Sequence, residues 1–295
     1  MKVFSYNSDK GISQIGIEFE GGVYNFSQAW ELYRDIKNKG RGPGLEFLQI
    51  MVEADFFHAE TFDQVFSTLR SYRPLKDLMI DGPVNFQLPV GRPQKILGIG
   101  RNYREHAAEL SNPVPSEPIF FSKSPSALLP HQHVIQLPPD VGRVDAEAEL
   151  AVVIGRVCHD VSEKHAMDFV AGFSIVNDVT ARDMQRKDIE AKKPWFRSKN
   201  FDTFCPFGPY LVPKEKFDSN VNVCSRINGA ERQNSPLSDM IFPVTELVAY
   251  LSKHCTLVPG DIIATGTPSG VTPLTPGDVI ECEISGLGIL SNSVQ

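Results

Sequence analysis

Asp145, Glu147 and Glu149 alternate with alanine and run straight into the apolar stretch Leu150-Ala151-Val152-Val153-Ile154-Gly155. In a β-strand, side chains two apart share a face, so the acids stack on one side and the alanines point to the other. Like charges crowded at the mouth of a buried strand raise the free energy unless a cation offsets them. Carboxylate oxygens suit a hard divalent ion: Mg²⁺ or Mn²⁺, with Ca²⁺ admitted by the same donor type. Acidic residues more often decorate a solvated edge strand, but the apolar continuation here favours the metal. A further ligand must then come from elsewhere, and the strand expected over Gly172–Val176 leads into Asn177 and the carboxylate of Asp178. Asp178 also suits the first turn of a helix expected from about Thr180, where the dipole favours an acid. Taken alone, that capping role is the commoner one.

His106 and Glu109 lie three apart on a short helix expected over Asn102–Leu110, where a carboxylate can hold an imidazole in one tautomer as a general base. Without other support such a pair is ordinary surface chemistry. Lys123 follows the apolar run Ile119-Phe120-Phe121, and Lys199 sits between Phe196 and Phe201. Each stands where a strand ends and suits an anionic substrate, although each could equally snorkel to solvent. His131-Gln132-His133 has strand spacing for two nitrogen ligands but follows Pro130 in a polar loop. Gly98-Ile99-Gly100 lacks the third glycine of a dinucleotide fingerprint. Gly266-Thr267-Pro268-Ser269-Gly270 lacks the ending of a phosphate-binding loop. Its amides and hydroxyls can still hold a carboxylate. No serine or cysteine has the setting of a covalent nucleophile.

These residues need a scaffold, and 295 residues allow one large domain or a small and a larger one. The 29 basic and 36 acidic residues give a net charge of −7, which argues against nucleic acid as the main partner. No apolar run reaches membrane-spanning length, so no membrane association is expected. Five scattered cysteines without a CxxC pair suggest reduced thiols in a cytoplasmic protein.

Residues 1–90 read as a small α+β domain. It opens with a hairpin (Gln14–Glu20, a glycine turn, Val23–Phe26) and continues with helices capped by Ser27 and Thr61. Pro83, Pro89 and Pro93 mark a linker. From 91 to 295 the chain is mostly β, with strands expected at Lys95–Ile99, Ile119–Phe121, Glu147–Ile154, Gly172–Val176, Tyr210–Val212, Val221–Ile227, Asp261–Ala264 and Asp278–Ile284. Further helices are expected over Val179–Ile189 and Val244–Leu251.

Together the segments GRNYREHAAEL (100–110), FFSKSPSAL (120–128), DAEAELAVVIG (145–155), NDVTARDMQ (177–185), FRSKNFDTFCPFGPYLV (196–212), SDMIFPVTELVAYLS (238–252) and PGDIIATGTPSGV (259–271) resemble the fumarylacetoacetate hydrolase family. They occur in order and cover nearly everything from Lys95 onward, while residues 1–90 look like the small extra domain that many bacterial members carry. The resemblance implies an α+β, mostly β fold with a mixed β-roll or β-sandwich catalytic domain. It also implies a homodimer as the usual assembly and Mg²⁺ or Mn²⁺ on Glu147, Glu149 and Asp178. Asp145 matches an acid that is not a ligand. Gln185 and Thr267 match substrate-contacting positions, Lys199 a substrate-contacting position with a catalytic part, and Lys123 and Arg182 basic residues of the site. His106 and Glu109 match the dyad of the acylpyruvase and oxaloacetate decarboxylase branch. The expected function is therefore metal-dependent C–C cleavage of a small 2-oxo acid through a metal-bound enolate. The alternative is isomerisation or decarboxylation of a 2-hydroxy-dienedioate from aromatic degradation.

Overall fold

The computed structural model of the chain describes residues 1–38, 47–72, 74–109 and 113–295, without the side chains of 106–108. The alternation read in the acidic segment organises the molecule. In the strand Ala148–Ile154, Leu150, Val152 and Ile154 enter one hydrophobic cluster, while Ala151 and Val153 enter a second on the opposite face. A strand buried on both faces reads as a continuous apolar run because each side chain has a core to enter.

That strand lies inside an 11-stranded sheet. Val170–Asn177 pairs with it antiparallel on one side and Ile262–Ala264 on the other, and Ile96–Gly100 and Ile119–Lys123 extend the sheet beyond. The other direction runs through Cys205–Pro213 to the N-terminal strands Lys2–Asn7, Ser13–Phe19 and Gly22–Asn25. Against one face packs a five-stranded sheet built on Asn222–Ile227, Val279–Ile284 and Gly288–Val294. Against the other pack the helices Phe26–Ile36, Leu48–Glu53 and Ala59–Arg70. The architecture is α+β and mostly β.

The N-terminal ninety residues thus share a sheet and a core with the larger C-terminal part of the chain. Val3 is in register with Leu211, and Phe62, Val65 and Phe66 share a cluster with Val153 and Phe207. Within the proline-marked stretch, Asn85–Gln87 is a short strand paired with Lys2–Asn7, because its extended backbone can complete that edge.

Several local expectations are corrected. Asn25, not Ser27, caps the first helix, accepting from Gln28 N at 3.0 Å, while Ser27 Oγ accepts from Ile15 N at 2.9 Å. The helix assigned to Thr61 starts earlier, at Ala59. No helix begins near Thr180. Thr180–Ala181 is a short strand paired with Val144–Ala146, and the helix is Arg182–Glu190. Asp178 is therefore not a first-turn acid, which removes the capping reading. The strands Ala230–Pro236 and Gly288–Val294 were not anticipated, because their polar and glycine-containing sequences carry little strand signal. Among the described residues, no helix is long and apolar enough to cross a membrane.

Candidate active site

Three carboxylates meet where the two central strands end. Glu147 immediately precedes Ala148–Ile154, Glu149 lies within it, and Asp178 immediately follows Val170–Asn177. The antiparallel register sets Ala148 opposite Asn177, so these acids are neighbours by strand geometry. The turn is fastened by Asp178 N donating to Glu147 O at 2.8 Å and Glu147 N donating to Asn177 Oδ1 at 2.9 Å. One oxygen from each of Glu147, Glu149 and Asp178 lies within 4.8 Å of the others, and all three residues are buried.

Cations surround this cluster. Lys199 Nζ donates to Glu147 Oε2 at 2.8 Å and also pairs with Asp178. Burial pulls the Lys199 pKa down, but Asp178 and Glu147 outweigh it and hold the ammonium above its ordinary value. Arg182 bridges Asp145 Oδ2 at 2.7 Å and Glu147, and its Nη1 donates to Gln185 Oε1 at 2.7 Å. Asp145 also receives Arg143 Nε at 2.6 Å, so both its oxygens serve arginines. Glu149 has the least compensation: Gly266 N donates to its Oε2 at 2.8 Å. Burial first, then the charges of Asp178 and Glu147, push its carboxyl well above the usual glutamate range.

A divalent cation fits this donor set. The oxygens are hard, three carboxylates converge, and the strained member is the one whose negative charge a nearby cation would relieve. The structure thereby separates Asp145, committed to arginines, from the three acids that can share an ion.

The glycine loop closes one side of the site. Gly266 has φ +96°, and a Cβ there would meet Asn102 Cβ at 2.7 Å, so both conformation and space demand glycine. Its amide holds a carboxylate as its exposed N–H suggested, but the carboxylate is the protein's own Glu149. Thr267 Oγ1 donates to Ala148 O at 2.9 Å and accepts from Gln233 Nε2 at 2.7 Å. Glu109 lies over the same loop, accepting from Gly270 N at 3.3 Å, and Glu105 accepts from Ser269 Oγ at 3.2 Å.

Glu147, Glu149, Asp178, Arg182, Gln185, Lys199 and Thr267 all line one pocket, with Ile99, Phe121, Ile189 and Trp195 forming apolar wall. Lys123, expected at the substrate, is instead enclosed behind Asp178. It has no exposed surface, stands 2.7 Å from Asp178 Oδ1 and donates to Lys199 O at 2.6 Å. Glu109 lies outside the pocket wall. His106 belongs to the helix Arg104–Glu109, and its side chain lies outside the described residues. Sequence reasoning missed Gln233, whose buried amide ties Ala148 N at 3.1 Å to Thr267 and Pro268 O. Nothing in the polar strand Ala230–Pro236 signalled it. Arg101 and Trp195 also stand on the wall.

A mixed sandwich carrying three clustered acids, a buried lysine and a glycine loop defines a class of enzymes, and comparison with known proteins identifies it. The family model for the fumarylacetoacetate (FAA) hydrolase C-terminal domain matches residues 95–295, and the chain belongs to this family. It is 45% identical over 221 residues to the mitochondrial oxaloacetate tautomerase FAHD2A of Bos taurus, covering 72% of this chain and 69% of that one. Among solved structures, the fumarylacetoacetate hydrolase of Exiguobacterium antarcticum superposes with a TM-score of 0.79 at 31% identity, covering 100% of this chain and 99% of that chain. The 5-carboxymethyl-2-hydroxymuconate delta-isomerase of Mycobacterium smegmatis gives 0.72 at 31% identity, covering 100% and 98%.

Proposed function

We propose that this enzyme performs enolate chemistry on a short 2-oxo acid, with keto–enol tautomerisation of an oxaloacetate-type diacid as its reaction. The observation that carries the reading is the buried Lys199 ammonium, set between Glu147 and Asp178 on the wall of the pocket. Glu147, Glu149 and Asp178 would hold Mg²⁺ or Mn²⁺. Such an ion supplies Lewis acidity that polarises a 2-oxo group and acidifies the adjacent C–H.

The protein's own groups do the rest. Lys199 is held charged by its two carboxylates, so it serves as a donor to developing negative charge on oxygen rather than as a base. Arg182 is held by Asp145 and Glu147 and in turn holds Gln185, so the two present fixed polar groups to the substrate carboxylate. Ile99, Phe121, Ile189 and Trp195 limit water at the reacting carbon, which strengthens these interactions. Tautomerisation and C–C cleavage share the enolate. They differ in whether carbon 3 exchanges a proton or loses a group.

A second reading, cleavage of an acylpyruvate or decarboxylation of oxaloacetate, is favoured by the anchoring of the Glu109 helix on the Thr267 loop. There His106, oriented by Glu109, would activate the water that hydrolysis needs. An assay of oxaloacetate, acetylpyruvate and a 2-hydroxy-dienedioate with Mg²⁺ and Mn²⁺ separates the readings. Enol–keto conversion faster than in buffer, without pyruvate release, is the expected result. Conversion at the buffer rate defeats the proposal, and pyruvate release transfers the assignment to the cleavage reading.

A further inference from the structure

The peptide unit between Thr265 and Gly266 is hydrogen-bonded at both ends. Its N–H donates to Glu149 Oε2 at 2.8 Å, and its carbonyl, Thr265 O, accepts from Asn102 Nδ2 at 2.7 Å. The unit is planar and trans, so the bond that holds the carbonyl also sets the line along which the N–H points. Asn102 is therefore joined to the acid cluster through one rigid group. Polarising the carbonyl also makes the N–H at the far end a better donor.

Neither end of this relay can turn. Asn102 is fully buried, and both N–H groups and the oxygen of its amide are bonded. The second N–H goes to Phe242 O at 3.1 Å, and Oδ1 accepts from Phe242 N at 2.8 Å, so the amide grips that residue's backbone at two points. The Asn102 carbonyl accepts from Ile241 N at 2.7 Å. Thr265 N and Oγ1 both donate to Leu150 O at 3.0 Å, which fastens the peptide to the strand that carries Glu149. A Cβ at Gly266 would meet Asn102 Cβ at 2.7 Å and Ile99 O at 3.1 Å, so the unit has little room to rock.

This rigidity decides how Glu149 meets an ion. With Oε2 held by the amide, the carboxylate offers its other oxygen. Chelation through both oxygens would pull Oε2 from its donor and leave a buried N–H unpaired. Mg²⁺ demands a compact octahedral shell, whereas Ca²⁺ takes more oxygens and readily accepts carboxylates through both. We infer that Asn102 is a positioning residue for the acid cluster: acting through the Thr265–Gly266 peptide, it holds Glu149 as a one-oxygen ligand and biases the site toward Mg²⁺ over Ca²⁺. The inference rests on the reading of Glu147, Glu149 and Asp178 as the acids that share an ion.

The test compares Mg²⁺ and Ca²⁺ titrations of the full chain by calorimetry for the wild type, Asn102→Ser and Asn102→Asp. Asn102→Ser should lose roughly 10- to 100-fold in Mg²⁺ affinity, the scale of losing a group that orients a metal ligand. Its Ca²⁺ affinity should fall less than about threefold, because a freed carboxylate can chelate the larger ion. The ratio of the two affinities is the readout that general loosening of the fold would leave in place. Parallel losses for both ions, or no loss for Mg²⁺, overturn the role of Asn102 while leaving the ion-binding acids intact. Wild type that binds neither ion defeats the ion reading, and this inference with it. Should Asn102→Ser fail to fold, Asn102→Asp keeps the shape of the side chain, removes the amide donors and carries the same comparison.

Discussion

Lys199 Nζ stands 2.8 Å from Glu147 Oε2 and also pairs with Asp178, so one ammonium lies where two of the three clustered carboxylates converge. With a divalent ion bound, those acids would serve a lysine and the ion together. The arrangement keeps four buried carboxylates, Asp145 included, tolerable next to the apolar strand that carries them.

The division between ligands and neighbours is tested by substitution. Glu147→Gln and Asp178→Asn should each weaken Mn²⁺ binding by about 100-fold or more in titration calorimetry, because each removes an anionic oxygen. Asp145→Asn should keep one ion per chain but cost about 3 kcal/mol in denaturant unfolding, since it breaks a buried pair with Arg182. Near-normal affinity in the first two variants would refute the ligand assignment.

Lys199→Met should lower turnover by about 100- to 1,000-fold, the scale of losing one donor to a developing oxyanion. Its Mn²⁺ affinity should hold or rise, because an ammonium no longer shares Glu147 and Asp178. A parallel loss of metal would show that Lys199 acts only by holding the acids in place.

The raised pKa of Glu149 has a defined sign. A carboxyl whose folded pKa lies above its unfolded value binds protons preferentially in the native state. Its contribution is favourable below the ordinary glutamate pKa and lost as pH rises from there through the folded value. Metal-free protein should therefore gain thermal stability at pH 8 from Glu149→Gln. Mn²⁺ binding to the wild type should strengthen with pH and release protons, read as a buffer-dependent calorimetric enthalpy. A variant no more stable than wild type at pH 8 would contradict the assigned burial cost.

Gln233→Leu should destabilise the fold by about 2–4 kcal/mol in denaturant unfolding, because it orphans Ala148 N and a partner of Thr267 at once. Thr267→Val should show a smaller loss, since Gln233 retains Pro268 O. Equal stability of wild type and Gln233→Leu would mean that solvent replaces the amide.

His106→Ala should impair acylpyruvate hydrolysis more than oxaloacetate tautomerisation, because only hydrolysis needs an activated water. Equal losses in parallel kinetics with the two substrates would remove that division of roles.

The sequence by itself determined the apolar strand Ala148–Ile154, its two faces, the ordered motifs and therefore the family, but the single acidic strand it suggested is broken at Glu147, with Asp145 in the separate strand Val144–Ala146 of another sheet. These are local matters: period-two alternation, glycine turns and strand spacing are written in consecutive residues. It also placed Glu147, Glu149 and Asp178 in one ligand set through the resemblance. What the tertiary structure decided is which charge answers which. The pairing of Ala148 with Asn177 brings Asp178 beside Glu147, and Asp145 turns to Arg143 and Arg182. Lys123 goes behind the site while Lys199 stays on its wall, although both follow similar aromatic stretches. Arg101 is left uncommitted, and Gln233 reaches in from a strand with no chemical signature. Apart from Arg143 beside Asp145, each outcome depends on contacts between residues tens of positions apart. Ion pairing and burial are set by distance in space, which no spacing along the chain encodes.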